Sequence, residues 1–131
     1  MKQSVTENKA IVRRYIEEVL NGGHFELIDE LFAARLQPQV KEIARNLHRA
    51  FPDMHETIHD MIAEDHIVSA RWTFRGTQNG QFMMVPPTGK VVEFDGLSIY
   101  YIEDGKIADD LAVLDLVTAL QQLGARILPP I

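Results

Sequence analysis

Groups that could exchange protons with a substrate occur in the second half of the chain, where apolar and polar residues alternate. Ser98 and Tyr100 are two residues apart, so a strand places both on one face, with Phe94 in phase if no bulge intervenes. Tyr100 could donate a hydrogen bond to a bound ligand, although strand tyrosines also serve in packing. Asp110 could act as a general acid or base if apolar surroundings raise its pKa. The alternative is that Asp109 and Asp110 are both solvated at the rim of a strand.

Two aromatic residues could contact a flat ligand. Trp72 offers a large apolar ring that could stack on an aromatic compound, and Tyr15 could close a pocket from the first helix. Ordinary core packing is the alternative for both. Among the other carboxylates, Asp95 would point inward only if a bulge beside Gly96 reverses the strand's phase. Asp115 is better placed to cap the helix that follows it.

The five histidines predict no metal site. His55 and His59 are four residues apart, but a strand separates such residues by roughly 13 Å, which is too far to share an ion. His24, His48 and His66 have no spacing typical of metal ligands. The chain has no cysteine, so disulfides and thiolate chemistry are excluded.

The composition is that of an ordinary globular protein. The 131 residues fit one domain, 1–131, and 46% of them are hydrophobic. The net charge of −6 and the scattered basic residues argue against nucleic-acid binding. The sequence contains no run of about 18 apolar residues, which is the length that a membrane-spanning helix needs. The first nine residues lack the apolar segment of a signal peptide, so we expect a cytoplasmic protein.

The first part of the chain reads as three helices. Ser4 and Glu7 have the spacing of a capping box, and an apolar stripe at helical intervals then continues to Leu20. Asn21-Gly22-Gly23 ends this helix, because these residues tolerate the left-handed conformation. A short second helix follows. The third ends at Pro52 and has its apolar residues at steps of three and four: Leu36, Val40, Ile43, Leu47 and Ala50.

After the third helix the apolar period changes to two, which indicates strands. We predict strands over Ile58–Glu64, Val68–Phe74, Val91–Ile102 and Lys106–Val113, and a closing helical turn over Val117–Leu123. Gly96 would allow a bulge. Helices followed by consecutive hairpins predict an α+β fold, with the N-terminal helices packed in a strongly curved antiparallel sheet. The open end of such a cone is a natural place for a pocket.

Several short segments, in order along nearly the whole chain, carry a resemblance to a known family. They are Asn8–Gly23, Ala50–Asp53, Ala70–Thr73, Gly76-Thr77, Val85–Lys90, Asp104–Ile107 and Gln121–Gly124. Together they resemble the SnoaL-like polyketide cyclases of the nuclear-transport-factor-2-like superfamily. The resemblance implies a cone-shaped α+β barrel and acid–base chemistry without a metal or organic cofactor. In that chemistry a carboxylate removes a proton from carbon flanked by carbonyls, and pocket donors stabilise the enolate, in an intramolecular aldol-type ring closure or an isomerisation.

The chain departs from the family pattern at the site itself. Ala112 stands where the last strand of the family often carries the catalytic carboxylate, and the link between the second and third helices is short. Asp110 shares a strand face with Ala112, so it becomes our candidate acid/base, with Tyr100 as the candidate donor. Ser98 stands where cyclases often have His or Asp. We expect a hydrophobic carbonyl compound to contact Tyr15, Trp72, Phe94, Ser98 and Ala112.

Two alternatives to a cyclase remain open. One is a non-catalytic ligand-binding or assembly module that kept the cone and lost the chemistry, which Ala112 favours. The other is a ring-hydroxylation partner on the same scaffold. We also expect a homodimer, because one face of the curved sheet would otherwise be exposed, with Arg71 and Arg75 near the interface.

Overall fold

The computed structural model describes residues 4–130, with helices first and an antiparallel sheet second. Met1 to Gln3 and Ile131, which belong to the predicted domain, lie outside the described residues. Helix α1 covers Val5–Arg14 and continues as a π-helical segment over Tyr15–Asn21. Helix α2 covers Ile28–Leu31, α3 covers Gln37–Ala50 and α4 covers Leu116–Gln122. Within residues 4–130, no helix has the length and apolar character needed to cross a membrane.

The first helix begins as predicted and ends differently. Ser4 Oγ accepts a hydrogen bond from the Glu7 amide at 3.1 Å, and the Glu7 carboxylate accepts one from the Ser4 amide at 3.4 Å, which confirms the capping box. The sequence predicts one regular helix to Leu20. Instead, the last turns widen into the π form. The segment buries Tyr15, Ile16, Val19 and Leu20.

Helix α3 buries a narrower stripe than the sequence predicts. Val40, Ala44 and Ala50 face the core, whereas Ile43 is 47% exposed. Ala44 is fully buried, so the side of α3 that faces the core passes through Ala44, and the adjacent Ile43 faces solvent. The short link before α3 places Phe32 beside the sheet, where it forms an isolated parallel bridge with Ile107.

The four strands form one sheet in the order β1-β2-β3-β4, with every neighbouring pair antiparallel. Their bounds are His55–Glu64, Ile67–Thr77, Val91–Glu103 and Lys106–Leu114. Strand β1 therefore starts three residues before its predicted start. The β3–β4 turn is as predicted, since Asp104 and Gly105 have φ of 51° and 73°, the combination found in two-residue hairpins. The sheet is curved and does not close, and the predicted α+β class is confirmed.

The predicted bulge at Gly96 is absent. Pairing between β2 and β3 runs without interruption through Trp72 and Gly96. Register shifts occur instead in β1, between Ile58 and Asp60, and between β3 and β4 next to Ile102. Gly96 has a steric role, because a Cβ there would lie 2.2 Å from Cζ2 of the Trp72 indole. The bare backbone of Gly96 is what allows the indole to lie across β3.

Edge strand β4 is covered on its concave side only at its beginning. Ile107 and Ala108 are buried, and the Ile107 carbonyl accepts a hydrogen bond from the Ala33 amide at 2.9 Å. Further along, Asp110 and Ala112 are exposed. At the far end Asp115 caps α4, as predicted, by accepting a hydrogen bond from the Thr118 amide at 3.1 Å. The concave face is therefore open along this edge.

We expect Gly96→Ala to lower the free energy of unfolding by about 1–3 kcal/mol, because the added methyl group overlaps the indole and forces it to move. Trp72 is the single tryptophan, so its fluorescence reports the displacement directly. Denaturant unfolding checks the stability, with Val91→Ala, a change at an exposed position of the same strand, as control. A variant with unchanged emission and stability would contradict this steric role.

Candidate active site

The concave face of the sheet carries a few polar side chains inside an otherwise apolar core. Trp72, Ser98 and Tyr100 project from β2 and β3, and Tyr15 reaches toward them from the π-helical segment. Each of these four residues is less than a tenth exposed. Phe94, also predicted for the pocket, stacks on Phe74 at a centroid distance of 4.9 Å. Five of the predicted site residues are thus buried on one side of the sheet.

The indole of Trp72 makes one directed hydrogen bond in this core. Its Nε1 donates to Oγ of Ser98 at 2.9 Å, and both residues are buried. Because the serine oxygen accepts this bond, its own hydrogen remains available for donation. Burial raises the pKa of Tyr100, and hydrogen bonding by Ser98 offsets only part of that rise. Ser98 therefore interacts with both Trp72 and Tyr100 on this face of the sheet.

Tyr15 and Tyr100 form an edge-to-face aromatic pair, with ring centroids 6.2 Å apart. Burial raises the pKa of Tyr100, and the negative charges of Glu56 and Asp110 raise it further. The pKa of Tyr15 is raised well above its usual value, first by burial and then by Tyr100, Glu56 and Asp110. Both phenols consequently keep their protons at neutral pH and can act as hydrogen-bond donors. The same two carboxyl groups act on both tyrosines.

Asp110 lies at the open edge, directly opposite Tyr100 in the β3–β4 pair. Side chains of such a pair project from the same face of the sheet. Although Asp110 is exposed, protein atoms on one side of it displace water, and this partial burial raises the pKa of its carboxyl. The nearby charge of Asp109 adds to the increase. Ala112 is likewise opposite Ser98 and exposed, so these two predicted residues lie at the mouth.

Glu56 is a candidate that our sequence analysis missed. It pairs with Phe74 on the concave face of β1 and is only 8% exposed. Burial raises the pKa of its carboxyl to about 7. A signal was present, because Met54 and Ile58 are apolar and in phase with Glu56 in the alternation. The predicted strand began at Ile58, however, and so left this carboxyl outside the sheet.

The remaining candidates serve structure. Asp95 is exposed and accepts a hydrogen bond from the Thr73 hydroxyl at 2.6 Å, so it lies on the outer face. His48 Nε2 is 2.6 Å from the Leu20 carbonyl oxygen. Within residues 4–130, no three histidine, aspartate or glutamate side chains are grouped closely enough to hold a metal ion.

A separate cleft of about 550 Å³ lies between α3 and the loop after β2. Ile43, Leu47, Phe82, Met83 and Met84 supply its apolar walls. None of the predicted pocket residues lines it, and it contains no carboxyl group or tyrosine. The groups suited to acid–base chemistry are therefore those around Tyr100, which we take as the candidate active site.

We expect Glu56→Gln to change how stability depends on pH. In the native protein the carboxyl holds its proton up to about pH 7, while the unfolded chain loses it near the ordinary value of 4.5. The native free energy of unfolding should therefore fall as pH rises between these values, by up to about 3 kcal/mol. The variant cannot show this fall. Urea unfolding of both proteins at pH 4 and pH 8 tests this, with Glu64→Gln as the exposed control.

Comparisons with known proteins agree with this fold. The profile of the SnoaL-like polyketide cyclase family matches residues 10–123. TsrD from Streptomyces laurentii is 21% identical, with a TM-score of 0.89 over 95% of this chain and 100% of that one. A SnoaL-like polyketide cyclase from Agrobacterium tumefaciens is 22% identical, with a TM-score of 0.79 over 89% and 98%.

Wild-type IdmH from Streptomyces antibioticus is 27% identical, with a TM-score of 0.76 over 90% of this chain and 99% of that one. No curated protein matches the sequence. The family profile covers most of the chain, and the solved structures share its arrangement of helices on a curved sheet. The chain therefore belongs to the SnoaL-like polyketide cyclase family.

Proposed function

We propose that this protein is a cofactor-free acid–base catalyst that acts on a hydrophobic carbonyl compound by intramolecular aldol-type ring closure or isomerisation. The observation that carries the proposal is the placement of Asp110 directly opposite Tyr100, where the concave face is open. A carboxylate that accepts protons and a phenol that donates a hydrogen bond are thereby available to one bound molecule. Family membership supports the same chemistry.

The proposed reaction begins with Asp110. Its carboxylate removes a proton from a carbon flanked by carbonyl groups, and the raised pKa makes it a stronger base than a fully solvated aspartate. Negative charge then develops on the adjacent carbonyl oxygen. Tyr100 keeps its proton at neutral pH and donates a hydrogen bond to that oxygen, in a setting where burial strengthens the interaction.

The apolar walls suit a flat, hydrophobic substrate. Trp72 and Phe94 meet edge to face at a centroid distance of 6.2 Å and are both buried on the concave side. Tyr15 packs against Tyr100 from the helical side. Ala112 leaves room beside Asp110, because it carries only a methyl group at the mouth. We propose that a polycyclic compound enters past Ala112 and contacts these rings.

A second candidate is a non-catalytic ligand-binding module of the same fold. Ala112, at the position where the family often has its carboxylate, favours it. A cone filled only by apolar side chains would also favour it, but the core of this protein contains the buried carboxyl of Glu56. We therefore place catalysis first.

We expect Asp110→Asn to lower kcat by about 10²- to 10⁴-fold, because the amide cannot accept the proton. Absorbance assays with a panel of polycyclic aromatic β-diketones and β-keto esters measure turnover. Asp109→Asn is the matched control, since it removes the neighbouring exposed carboxylate. Equal losses in both variants, or none in Asp110→Asn with native folding by circular dichroism, would contradict the assignment.

We further propose that the outer face of the sheet binds a second copy of this chain. Leu97 pairs with Val113 and Ile99 with Leu111, which creates an apolar patch on which Val113 is 75% exposed. Arg71 on the same face is already paired with Asp60 at 2.7 Å. Such internally neutralised charge lets two identical faces meet without repulsion, as a two-fold interface requires.

We expect Val113→Asp to convert the proposed dimer into a monomer, because it would bury an unpaired charge in the interface. Light scattering at micromolar concentration measures the mass. Ile43→Asp, an equally severe change at an exposed position on α3, is the control and should remain dimeric. A native protein that is monomeric at these concentrations would overturn the interface.

A further inference from the structure

Glu56 is held by its backbone and left free at its side chain. Asn21 lies at the end of the π-helical segment. Its side-chain Nδ2 donates to the backbone carbonyl of Glu56 at 2.9 Å, and its Oδ1 accepts from the backbone N–H of Glu56 at 2.7 Å. Within residues 4–130, no hydrogen bond or ion pair reaches the Glu56 carboxyl oxygens. Both oxygens keep a small contact with solvent. Among these residues, Asn8 Oδ1 is the only side-chain nitrogen or oxygen that is fully buried without a hydrogen-bond partner.

An unpaired carboxyl inside a protein is costly for stability, because it loses hydration and gains no partner. A purely structural carboxyl in this position would be expected to accept hydrogen bonds from its neighbours. Glu56 instead combines a rigid backbone with a free, inward-facing acid group. That arrangement is suited to a ligand which supplies the missing partner.

Glu56 lies on the concave side of the sheet, the side that also carries the candidate active site. Its charge acts on Tyr15 and Tyr100, the same two phenols on which Asp110 acts. The other titratable residues nearby on β1, His55, His59 and Asp60, are exposed. Glu56 and Asp110 therefore approach one pair of tyrosines from the two edge strands of the sheet.

Building on the proposed function, we propose that Glu56 is a second catalytic residue, which donates a proton to a substrate oxygen while Asp110 removes one from carbon. The two carboxyls have different surroundings, so one can be protonated while the other is ionised. Buried Glu56 still holds its proton near pH 7, whereas Asp110 is open to water on one side. Two carboxyls with different surroundings can serve as acid and base at the same pH.

The proton balance of the ring closure is then complete. Asp110 carboxylate takes the proton from carbon, and the resulting enolate carbon forms a bond to a second carbonyl carbon of the same molecule. The π electrons of that second carbonyl move to its oxygen, which takes the proton of Glu56 and becomes a hydroxyl. Tyr100 hydrogen-bonds the enolate oxygen and keeps its proton. Water at the open mouth returns the proton from Asp110 to Glu56.

The test compares the pH dependence of kcat in the native protein and in Glu56→Gln. Because the protonated acid is required, native kcat should fall about tenfold per pH unit above pH 7. The variant should lose at least 100-fold at pH 6 and show no such alkaline fall, although its fold is kept and its stability at pH 8 is raised. Glu64→Gln should behave as native. Native kcat and an unchanged pH profile in Glu56→Gln would overturn the proposal.

A binding measurement keeps this inference separate from the proposed function. If native protein turns over no compound of the panel, the cyclase assignment fails, and 2-naphthol fluorescence titrations at pH 5.5 and pH 8 then test Glu56 alone. We expect native affinity to fall at least fivefold at pH 8, and affinity in Glu56→Gln to be independent of pH. Absence of binding, or the same pH dependence in both proteins, would overturn the role of Glu56.

Discussion

The contact between the Trp72 indole and the bare backbone of Gly96 is the constraint on which the concave face depends. The two residues are cross-strand partners, and no side chain other than hydrogen leaves room for the ring. With the indole lying across β3, its nitrogen reaches Ser98, and Ser98 in turn modifies the acidity of Tyr100. This packing fit therefore positions the hydrogen bond between Trp72 and Ser98.

Much of the fold could be predicted because its signals are local. The capping box at Ser4, the alternation through Trp72 and the turn at Asp104-Gly105 each depend on residues close in sequence. The features that could not be predicted depend on tertiary contacts. Gly96 indicates a bulge until its cross-strand partner is known. Ile43 fits the apolar stripe of the helix, but Ala44 is the residue that packs in the core.

In the candidate site, too, local signals could be predicted and tertiary relations could not. Tyr100 and Asp110 were identified from strand periodicity and family pattern, but only the register places them opposite each other. Glu56 was missed because the predicted strand began at Ile58, two residues after it. Its partner in β2 is Phe74, whereas the partner of Tyr100 is Val68, three inward-facing positions away. Only the register of the assembled sheet relates these positions to each other. No spacing along the chain contains that information.

The uncovered part of β4 has a consequence for how such proteins diversify. Trp72, Phe94 and Tyr100 are locked into the core, so replacing any of them damages the fold along with the pocket. Ala112 and Leu114 face the same concavity but are exposed to solvent, so they contribute little to packing. Natural variation or laboratory selection can therefore alter the shape of this edge at little thermodynamic cost, while the scaffold persists.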